Sequence, residues 1–407
     1  MGTISPVGKA NRDRLVSDFT ELTSINALSL QEREIADTII QKLNDMGLEV
    51  LEDEAGKEHS GNCGNLFVRI SGRGSLSELT PILFSAHMDT VGPGEGKHAI
   101  MHENGLITGN GEAVLGADDV TGIVEILEGI RILQENEFPH RPLEVMFSVS
   151  EETFGRGVKG FDCSEIKSRD VYVMDLTGPI GTAAVQAPSL IWFEIVVNGK
   201  SAHAGFDPEN GIHAIQTAAK AIARIPQGRI DSQTTFNFGR IKGGSVSNIV
   251  PDECRITGEV RSYDHQRAER VLMEVEDIFR EEAMKTGASF AMNQEVCIRA
   301  YHVSKDTPVC QRFVKALGMI DLPVNEDHFV STFGGSDNNV LSQKGLQGIV
   351  PASGMYNPHS IDEYTYVKDL EKGAELVAAL CMVHDEDKRN DDKNNKKKSW
   401  FNTETII

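Results

Sequence analysis

The sequence lacks any apolar run long enough to cross a bilayer, so we expect no membrane-spanning helix. Its first fourteen residues contain no continuous apolar stretch of the kind found in signal peptides, which predicts a cytoplasmic location without a targeting segment. The six cysteines are scattered and form no Cys-x-x-Cys pair. Because a chain of 407 residues does not need disulfide bonds for stability, we expect these thiols to be reduced.

Positive charge is also scarce relative to negative charge. Lys and Arg total 40 residues and Asp and Glu total 61, which gives a formal net charge of −21. Nucleic acids and anionic membranes carry charge of the same sign, so neither is expected as a partner. With 40% hydrophobic and 25% charged residues, the composition is that of an ordinary globular protein, and the length favours two or three domains.

Several common catalytic motifs are missing as well. No Gly-x-Ser-x-Gly sequence is present, so the chain has no nucleophile elbow. The His102-Glu103 pair lacks the second histidine of a His-Glu-x-x-His zinc site. The segment 92–98, GPGEGKH, is similar to a phosphate loop, but Val91 and His98 stand where Gly and Ser or Thr are needed. Nucleotide binding is therefore not expected.

Short apolar runs bounded by turn residues alternate with helical patterns over the first half of the chain. This alternation predicts an α/β architecture, with a mixed sheet covered by helices on both faces. The predicted helices and strands cover residues 12–20, 32–46, 65–70, 81–90, 120–135, 143–153 and 171–178.

Residues 190–300 have a different rhythm. The order of patterns there is strand, helix, strand, strand, helix, strand, which is the split-βαβ (ferredoxin-like) module. The α/β pattern resumes at residue 301, so we predict that this module is inserted into a discontinuous large domain made of 1–189 and 301–385. Residues 386–407 form a charged C-terminal tail of low complexity.

Acidic and histidine side chains follow three of the predicted strands, at the point where each strand ends. The predicted strand at 81–90 leads into His87 and Asp89, that at 143–153 into Glu151 and Glu152, and that at 171–178 into Asp175. Open α/β sheets bind ligands beyond the carboxyl ends of their strands, so these side chains are expected at one edge. The pair Asp118-Asp119 follows a turn-rich stretch and precedes a predicted helix, from which it can reach the same edge.

Each of these motifs has an ordinary explanation when it is taken alone. A histidine beside an acid is common on surfaces, and two acids before a helix often cap it. Together, however, carboxylates crowded at one edge repel one another, and a dication removes that conflict. Imidazole and carboxylate ligands without thiolate favour Zn²⁺, Co²⁺ or Mn²⁺. Five ligands, one of them shared, predict two metal ions: His87, Asp118, Glu152, Asp175 and one later histidine.

The motifs that contain these residues resemble the di-zinc metallopeptidase family of aminoacylases and glutamate-type carboxypeptidases. Within it, the sequence is most similar to the peptidase T-like branch of tripeptide aminopeptidases. The resemblance implies a zinc-dependent exopeptidase that removes the N-terminal residue from short peptides, with the inserted module as a lid. The motifs occur in the family's order from about residue 10 to residue 380, as LFSAHMDT, GADD, SEE, MDLTG, GKSAHAG, VSNIVP, EVRS, GGSDNNVL and NPHS.

The same resemblance implies a role for each residue at the metal site. Asp89 would hydrogen-bond the imidazole of His87 and fix its tautomer. Glu151 would be the general base that takes a proton from the metal-bound water and passes it to the leaving amine. Of the ligands, Asp118 would bridge both metal ions, one ion being held by His87 and Asp175 and the other by Glu152 and His359.

Residues of the lid and of one later loop would contact the substrate. His203 would stabilise the oxyanion of the tetrahedral intermediate, and in relatives this histidine can come from the partner subunit of a dimer. We therefore expect a homodimer. Arg261 would pair with a substrate carboxylate through its two parallel donors. The substrate pocket would be lined by Asn248, Arg261, Gly334, Gly335, Ser336 and Asp337.

Two positions bear on how close this likeness is. Val120 stands beside the bridging acid where peptidase T-like relatives have a lysine, whereas an aspartate at position 175 accompanies the aminopeptidases of the family. An amidohydrolase or carboxypeptidase that acts on N-acyl amino acids or dipeptides is the alternative enzyme, and a non-catalytic peptide or metal carrier is the alternative class. His203 as a surface loop residue and Arg261 as an ordinary ion pair also stay open.

Overall fold

The computed structural model describes residues 7–323 and 328–384, and each helix and strand predicted from the sequence is present there within a few residues. The helices are α1 (Arg12–Ser24), α2 (Arg33–Asp45), α3 (Ala117–Glu135), α4 (Arg156–Gly160), α5 (Ala214–Ile222), α6 (His265–Thr286), α7 (Pro308–Met319), α8 (Asp337–Gln343) and α9 (Val367–Met382). The strands are β1 (Val50–Glu52), β2 (Leu66–Ile70), β3 (Ile82–His87), β4 (Ile100–Met101), β5 (Leu106–Thr108), β6 (Leu143–Ser148), β7 (Asp170–Val173), β8 (Ala183–Ala187), β9 (Ser189–Asn198), β10 (Gly228–Asp231), β11 (Thr234–Gly243), β12 (Glu253–Ser262), β13 (Ser289–Ile298), β14 (Tyr301–His302), β15 (Phe329–Ser331), β16 (Gln347–Pro351), β17 (Met355–Tyr356) and β18 (Tyr364–Tyr366).

The central sheet is mixed and has nine strands in the described chain. Its order is β1-β2-β6-β3-β7-β16-β8-β14, and β15 also pairs with β8. The middle strands β6, β3, β7 and β16 run parallel to one another, whereas the pairs toward both ends of the sheet are antiparallel apart from β15 and β8. Strands β3 and β6 are buried along their whole length, because their sequences are apolar runs that need cover on both faces.

Helices supply that cover. Helices α1, α3, α7 and α9 pack against one another, while α8 lies on β7 and β16. Helix α3 is buried over nearly all of its length, since it is apolar on most sides and passes between the sheet and α9. A mixed sheet layered with helices confirms the predicted α/β architecture.

A second, antiparallel sheet of five strands forms the lid, in the order β10-β11-β12-β9-β13. Helices α5 and α6 pack on it, around a hydrophobic core separate from that of the large domain. This arrangement contains the predicted β-α-β-β-α-β order and adds β10, which the sequence patterns did not predict. Strand β10 has four residues and pairs with β11 alone, so it is too short to show a hydrophobic period.

A third, small sheet joins β17, β18, β5 and β4 beside the central sheet. These strands have two or three residues each, and β5 lies in the turn-rich stretch that precedes Asp118. They were not predicted from the sequence, because pairing at this length depends on distant segments rather than on local apolar pattern.

The domain limits predicted from the sequence, 1–189 with 301–385 for the large domain and 190–300 for the lid, stay a prediction. The predicted tail at 386–407 lies outside the described residues. None of the helices within 7–323 and 328–384 combines the length and apolar character that crossing a membrane requires. The cytoplasmic location stays a prediction.

The contact between α3 and α9 depends on a glycine. A Cβ atom built at Gly129 would lie 2.5 Å from Cγ1 of Val377 and 3.1 Å from the carbonyl oxygen of Ala374. Gly129→Ala should therefore lower the free energy of unfolding by about 1–3 kcal/mol, because the two helices must move apart. Urea denaturation measures this change.

The matched control is Gly239→Ala in the lid, where the nearest atom to a built Cβ is 3.6 Å away. This variant should change the free energy of unfolding by less than about 0.5 kcal/mol. Equal losses in the two variants would contradict the close approach of α3 and α9.

Candidate metal and active site

Three parallel strands end at the same edge of the central sheet and deliver polar side chains there. His87 is the last residue of β3, Asp175 lies two residues after β7, and Glu151 and Glu152 follow β6. Strand β3 pairs with both β6 and β7 in parallel register. Since side chains beyond the carboxyl ends of parallel strands converge, the topology of the sheet brings this set together.

The first cluster contains His87, Asp118 and Asp175. Nε2 of His87 lies 3.0 Å from Oδ1 of Asp118 and 3.8 Å from Oδ1 of Asp175. One ligand atom from each of the three residues lies within 4.8 Å of the others. Nδ1 of His87 is 2.8 Å from the main-chain oxygen of Asp89, so it donates there and leaves Nε2 facing the carboxylates.

The second cluster contains Asp118, Glu152 and His359. Nε2 of His359 lies 3.1 Å from Oδ2 of Asp118 and 2.9 Å from Oε1 of Glu152. That glutamate oxygen is buried, and the imidazole of His359 lies against it. The two oxygens of Asp118 face different clusters, which is the geometry of a carboxylate shared between two cations.

The charges of these groups act strongly on one another. Asp118, and then Glu152, raise the pKa of His359 to about 10. Burial raises the pKa of Asp175 well above its usual range, and the charge of Asp118 adds to that effect. The raised pKa values of both groups favour bound protons, and dications at the same places would displace those protons. The two donor sets fit two divalent cations, and their imidazole nitrogens and carboxylate oxygens suit zinc.

An open cavity of about 380 Å³ borders both clusters. Its wall contains Glu151 beside the ligands, Arg261 from the lid, and Gly335 and Ser336 from the loop before α8. The cavity therefore lies between the large domain and the lid, with charge at one end and apolar surface along its side. The apolar residues of the wall include Leu176, Leu190, Ile298, Val350 and Met355.

Arg261 reaches the cavity from β12 but already has partners. Its Nε donates to Oε1 of Glu259 at 2.7 Å, and its Nη1 donates to the carbonyl oxygen of Phe333 at 2.9 Å. Nη2 lies 3.4 Å from the second oxygen of Glu259, which is a weaker bond. Both interpretations of Arg261 from the sequence, a substrate partner and an ordinary ion pair, therefore stay open.

Three residues expected at the substrate do not line the cavity. His203 and Asn248 are exposed on the lid, where a bridge pairs His203 with Ile249. Within one chain, neither of them belongs to the cavity wall. Asp337 is 1% exposed and accepts a hydrogen bond from the hydroxyl of Ser148. Asp337 is therefore not part of the cavity wall, because the start of α8 turns its side chain toward the end of β6, and its role at the substrate stays a prediction.

Asp89 contacts the imidazole of His87, as predicted, but through its main-chain oxygen rather than its carboxylate. Its carboxylate lies 3.6 Å from Nδ1 of His87, too far for a hydrogen bond, whereas its main-chain oxygen accepts that bond. The carboxylate instead accepts the main-chain N–H of Glu151 at 2.9 Å and that of Glu152 at 3.2 Å. The side chain of Asp89 thus holds the turn after β6 rather than the imidazole.

Two buried residues that the sequence analysis missed support the turn before Asp118. Glu363 accepts the main-chain N–H of Gly116 at 2.7 Å and that of Asp118 at 2.9 Å. Lys97 is 3% exposed, donates to the hydroxyl of Thr90 at 3.1 Å and lies within electrostatic reach of Glu363. Burial lowers the pKa of Lys97 to about 8. Glu363 is 245 residues away from Asp118, so no local pattern predicts this contact.

Two family models match this chain. The peptidase dimerisation domain matches residues 186–287, which contain most of the lid. Peptidase family M28 matches residues 65–223, which contain the strands that carry His87, Glu152 and Asp175. The matched segments therefore include the strands that lead to the two clusters and most of the lid.

Full-length similarity extends these matches. The protein YqjE of Bacillus subtilis is 34% identical over 370 residues, which are 91% of this chain and 98% of that protein. The crystal structure of the aminopeptidase PepT from Bacillus cereus is 34% identical, with a TM-score of 0.84, and covers 92% of this chain and 99% of its own. That of a tripeptidase from Staphylococcus aureus is 29% identical, with the same coverage and a TM-score of 0.87.

The shared position of Asp118 predicts how metal content responds to substitution. Asp118→Ala should remove a ligand from both clusters and lower the content of both ions, whereas His359→Ala should lower that of one. Mass spectrometry of metals after dialysis counts the ions per chain.

Asp337→Asn is the control, since Asp337 is buried near the site but belongs to neither cluster. It should keep the metal content of the parent. An Asp118→Ala protein that binds as much metal as the parent would exclude the shared carboxylate.

Proposed function

Since this chain belongs to the peptidase T-like branch of the dinuclear metallopeptidases, we propose that it uses two zinc ions to remove the N-terminal residue from short peptides. The observation that carries the proposal is the convergence of two ligand clusters, joined by Asp118, with a further carboxylate, Glu151, in the wall of one cavity. Co²⁺ or Mn²⁺ suits the same donor set, so the identity of the metal is part of the proposal.

The ligands divide between the two ions as the two clusters do. His87 and Asp175 would hold one ion, Glu152 and His359 would hold the other, and Asp118 would contribute to both. Bound there, two divalent ions supply a Lewis acid for the peptide carbonyl and lower the pKa of a water molecule. The main-chain bond from Asp89 to His87 keeps the imidazole in the tautomer that can bind metal.

Glu151 is the general base in this proposal. Asp89 accepts its main-chain N–H at 2.9 Å, and its side chain lies in the cavity wall next to Glu152. Burial raises the pKa of Glu151 well above its usual range, which favours a carboxyl that can hold a proton during the reaction. Glu151 would take a proton from the attacking water and then deliver it to the leaving amine.

Arg261 is the proposed partner of a substrate carboxylate at the lid side of the cavity. Its Nη2 forms the weakest of the three bonds that the guanidinium makes, so it can turn to a carboxylate at small cost. Gly335 and Ser336 would line the path between Arg261 and the metal ions. A cation at one end of the cavity and metal ions at the other would hold the two ends of a short peptide.

His203 and Asn248 are proposed to act from the partner subunit of a homodimer. They lie on an exposed end of the lid, and the dimerisation-domain match covers this segment. Nδ1 of His203 accepts the N–H groups of Gly205 and Phe206, both at 3.1 Å, so Nε2 carries the proton and points away from the loop. A donor held in this way could stabilise an oxyanion in a second chain.

The direct test compares free and blocked peptides. The parent protein should release the N-terminal residue from a free tripeptide and reject its N-acetylated form, because an aminopeptidase requires the free amine. Glu151→Ala should lower kcat about 10²- to 10⁴-fold and keep two metal ions per chain, since Glu151 belongs to neither cluster. Chromatography of the products and metal analysis give both results.

Two outcomes would contradict the proposal. Cleavage of the acetylated peptide in preference to the free one would indicate the amidohydrolase alternative. A Glu151→Ala protein with the turnover of the parent would remove Glu151 as the base.

Mixing of two inactive variants tests the role of His203. Glu151→Ala and His203→Ala should each be nearly inactive, and their mixed dimers should recover activity. In a mixed dimer, the site of the His203→Ala subunit keeps Glu151 and receives the intact histidine of the Glu151→Ala subunit. Co-expression with two affinity tags isolates the mixed dimers, and light scattering gives the mass.

Mixed dimers of Glu151→Ala and Glu151→Gln are the control and should recover no activity. An active monomer, or a His203→Ala protein with the kcat of the parent, would contradict a histidine supplied across the interface.

A further inference from the structure

The turn that carries the proposed base is held by three consecutive main-chain N–H groups. Ser150 donates to Oε1 of Glu32 at 2.9 Å, Glu151 donates to Oδ1 of Asp89 at 2.9 Å, and Glu152 donates to Oδ2 of Asp89 at 3.2 Å. Two buried carboxylates thus fix the path of the chain on which the base and one metal ligand lie. Asp89 belongs to the motif beside His87, but Glu32 belongs to no motif.

Glu32 comes from the opposite end of the chain. It directly precedes α2, is 1% exposed, and reaches a turn that lies 118 residues later. The same Oε1 also accepts the main-chain N–H of Leu30 at 2.8 Å. The other oxygen, Oε2, is buried without a hydrogen-bond partner. One oxygen therefore makes both contacts, and the contacts join the α1–α2 loop to the turn after β6.

Both residues that donate to Glu32 have a left-handed backbone. The φ angle is 70° at Leu30 and 57° at Ser150, a region that residues other than glycine rarely adopt. Ser150 is fully buried, so its N–H has no access to water if Glu32 is removed. Without an acceptor, this residue would relax toward a commoner backbone conformation and rotate the peptide that leads into Glu151.

We propose that Glu32 is a positioning residue for Glu151, which it orients by accepting the N–H of Ser150 and so fixing the left-handed turn before the base. This inference rests on the proposed function, because it gives Glu32 its role through Glu151. Glu32 is in neither metal cluster and is not in the wall of the cavity. Its effect should therefore fall on kcat rather than on KM or metal content.

The contacts of Glu32 depend on the length of its side chain rather than on its charge. Oε1 accepts two N–H groups, which the amide oxygen of glutamine does equally well. Burial, and then the like charge of Asp89, raise the pKa of Glu32 to about 7, so a neutral amide suits this position. Aspartate keeps the charge but is one methylene shorter, so its carboxylate cannot reach both donors.

The test compares Glu32→Gln with Glu32→Asp on a free tripeptide. Glu32→Gln should keep kcat within about twofold of the parent. Glu32→Asp should lower kcat by about tenfold or more, with KM and two metal ions per chain unchanged, since small displacements of a catalytic group have effects of this size. Steady-state kinetics, metal analysis and thermal melting are measured on each variant.

Glu144→Asp is the matched control. Glu144 is 2% exposed and accepts the main-chain N–H of Ser168 at 2.8 Å and that of Lys167 at 3.1 Å, near the start of β6 and away from the site. This variant loses the same kind of contact elsewhere. Because Glu144 also accepts the hydroxyl of Ser168 and lies 3.6 Å from Arg69, this variant should lower Tm at least as much as Glu32→Asp does. It should keep the kcat of the parent.

Each other outcome overturns the inference. Equal loss of kcat in Glu32→Gln and Glu32→Asp would mean that accepting the two N–H groups does not explain the role of Glu32, because glutamine keeps that ability. The kcat of the parent in Glu32→Asp would mean that the contact has no catalytic role. A loss of kcat in Glu144→Asp as large as in Glu32→Asp would mean that lower stability alone explains the loss of kcat. If Glu32→Asp does not fold, a slow but folded Glu32→Gln with two metal ions still refutes the acceptor role, and an active one supports it.

Failure of the proposed function can be distinguished from failure of the role of Glu32. A parent protein that cleaves no free peptide would overturn the peptidase and this inference with it. An active parent whose Glu151→Ala variant is inactive, together with a fully active Glu32→Asp, would leave the peptidase intact and overturn the role of Glu32 alone.

Discussion

Negative charge crowded at one edge of the central sheet is the constraint on which the rest of the site depends. Asp118, Glu152 and Asp175 share this edge with two histidines, and the ligand atoms of each cluster lie within 4.8 Å of one another. Carboxylates this close cannot all ionise at low cost unless positive charge lies between them. Divalent ions can supply that charge, but only if the fold first holds side chains that repel each other.

Main-chain N–H groups do much of this holding. Their dipoles are fixed by the backbone, so they stabilise a buried carboxylate without bringing a mobile cation that would compete with the metal ions. Even Lys97, buried nearby, binds a hydroxyl and has its pKa lowered to about 8 by burial. Four acids around the ligands accept such bonds: Glu363 from Gly116 and Asp118, Asp119 from His87 and Gly122, Asp89 from Glu151 and Glu152, and Glu32 from Leu30 and Ser150.

Local patterns predicted the large elements and most of the residues that the two clusters bring together. Long apolar runs end in His87, Glu152 and Asp175, so strand ends and charge conflict are both visible in the sequence. His359 lies in a loop and could be placed only through the family resemblance. The strands of two or three residues escaped prediction, because their pairing is decided by segments far away in the chain.

The atom that each side chain uses could not be predicted, since it depends on which distant turn the fold places beside it. Asp89 holds its histidine through a main-chain oxygen, and Asp337 turns away from the cavity toward Ser148. Glu144 and Glu32 show the same limit most clearly. Both are buried glutamates that accept two main-chain N–H groups, although Glu144 also accepts the hydroxyl of Ser168 and pairs with Arg69. They differ in the end of β6 that they support, and this topological difference decides which of them bears on the base.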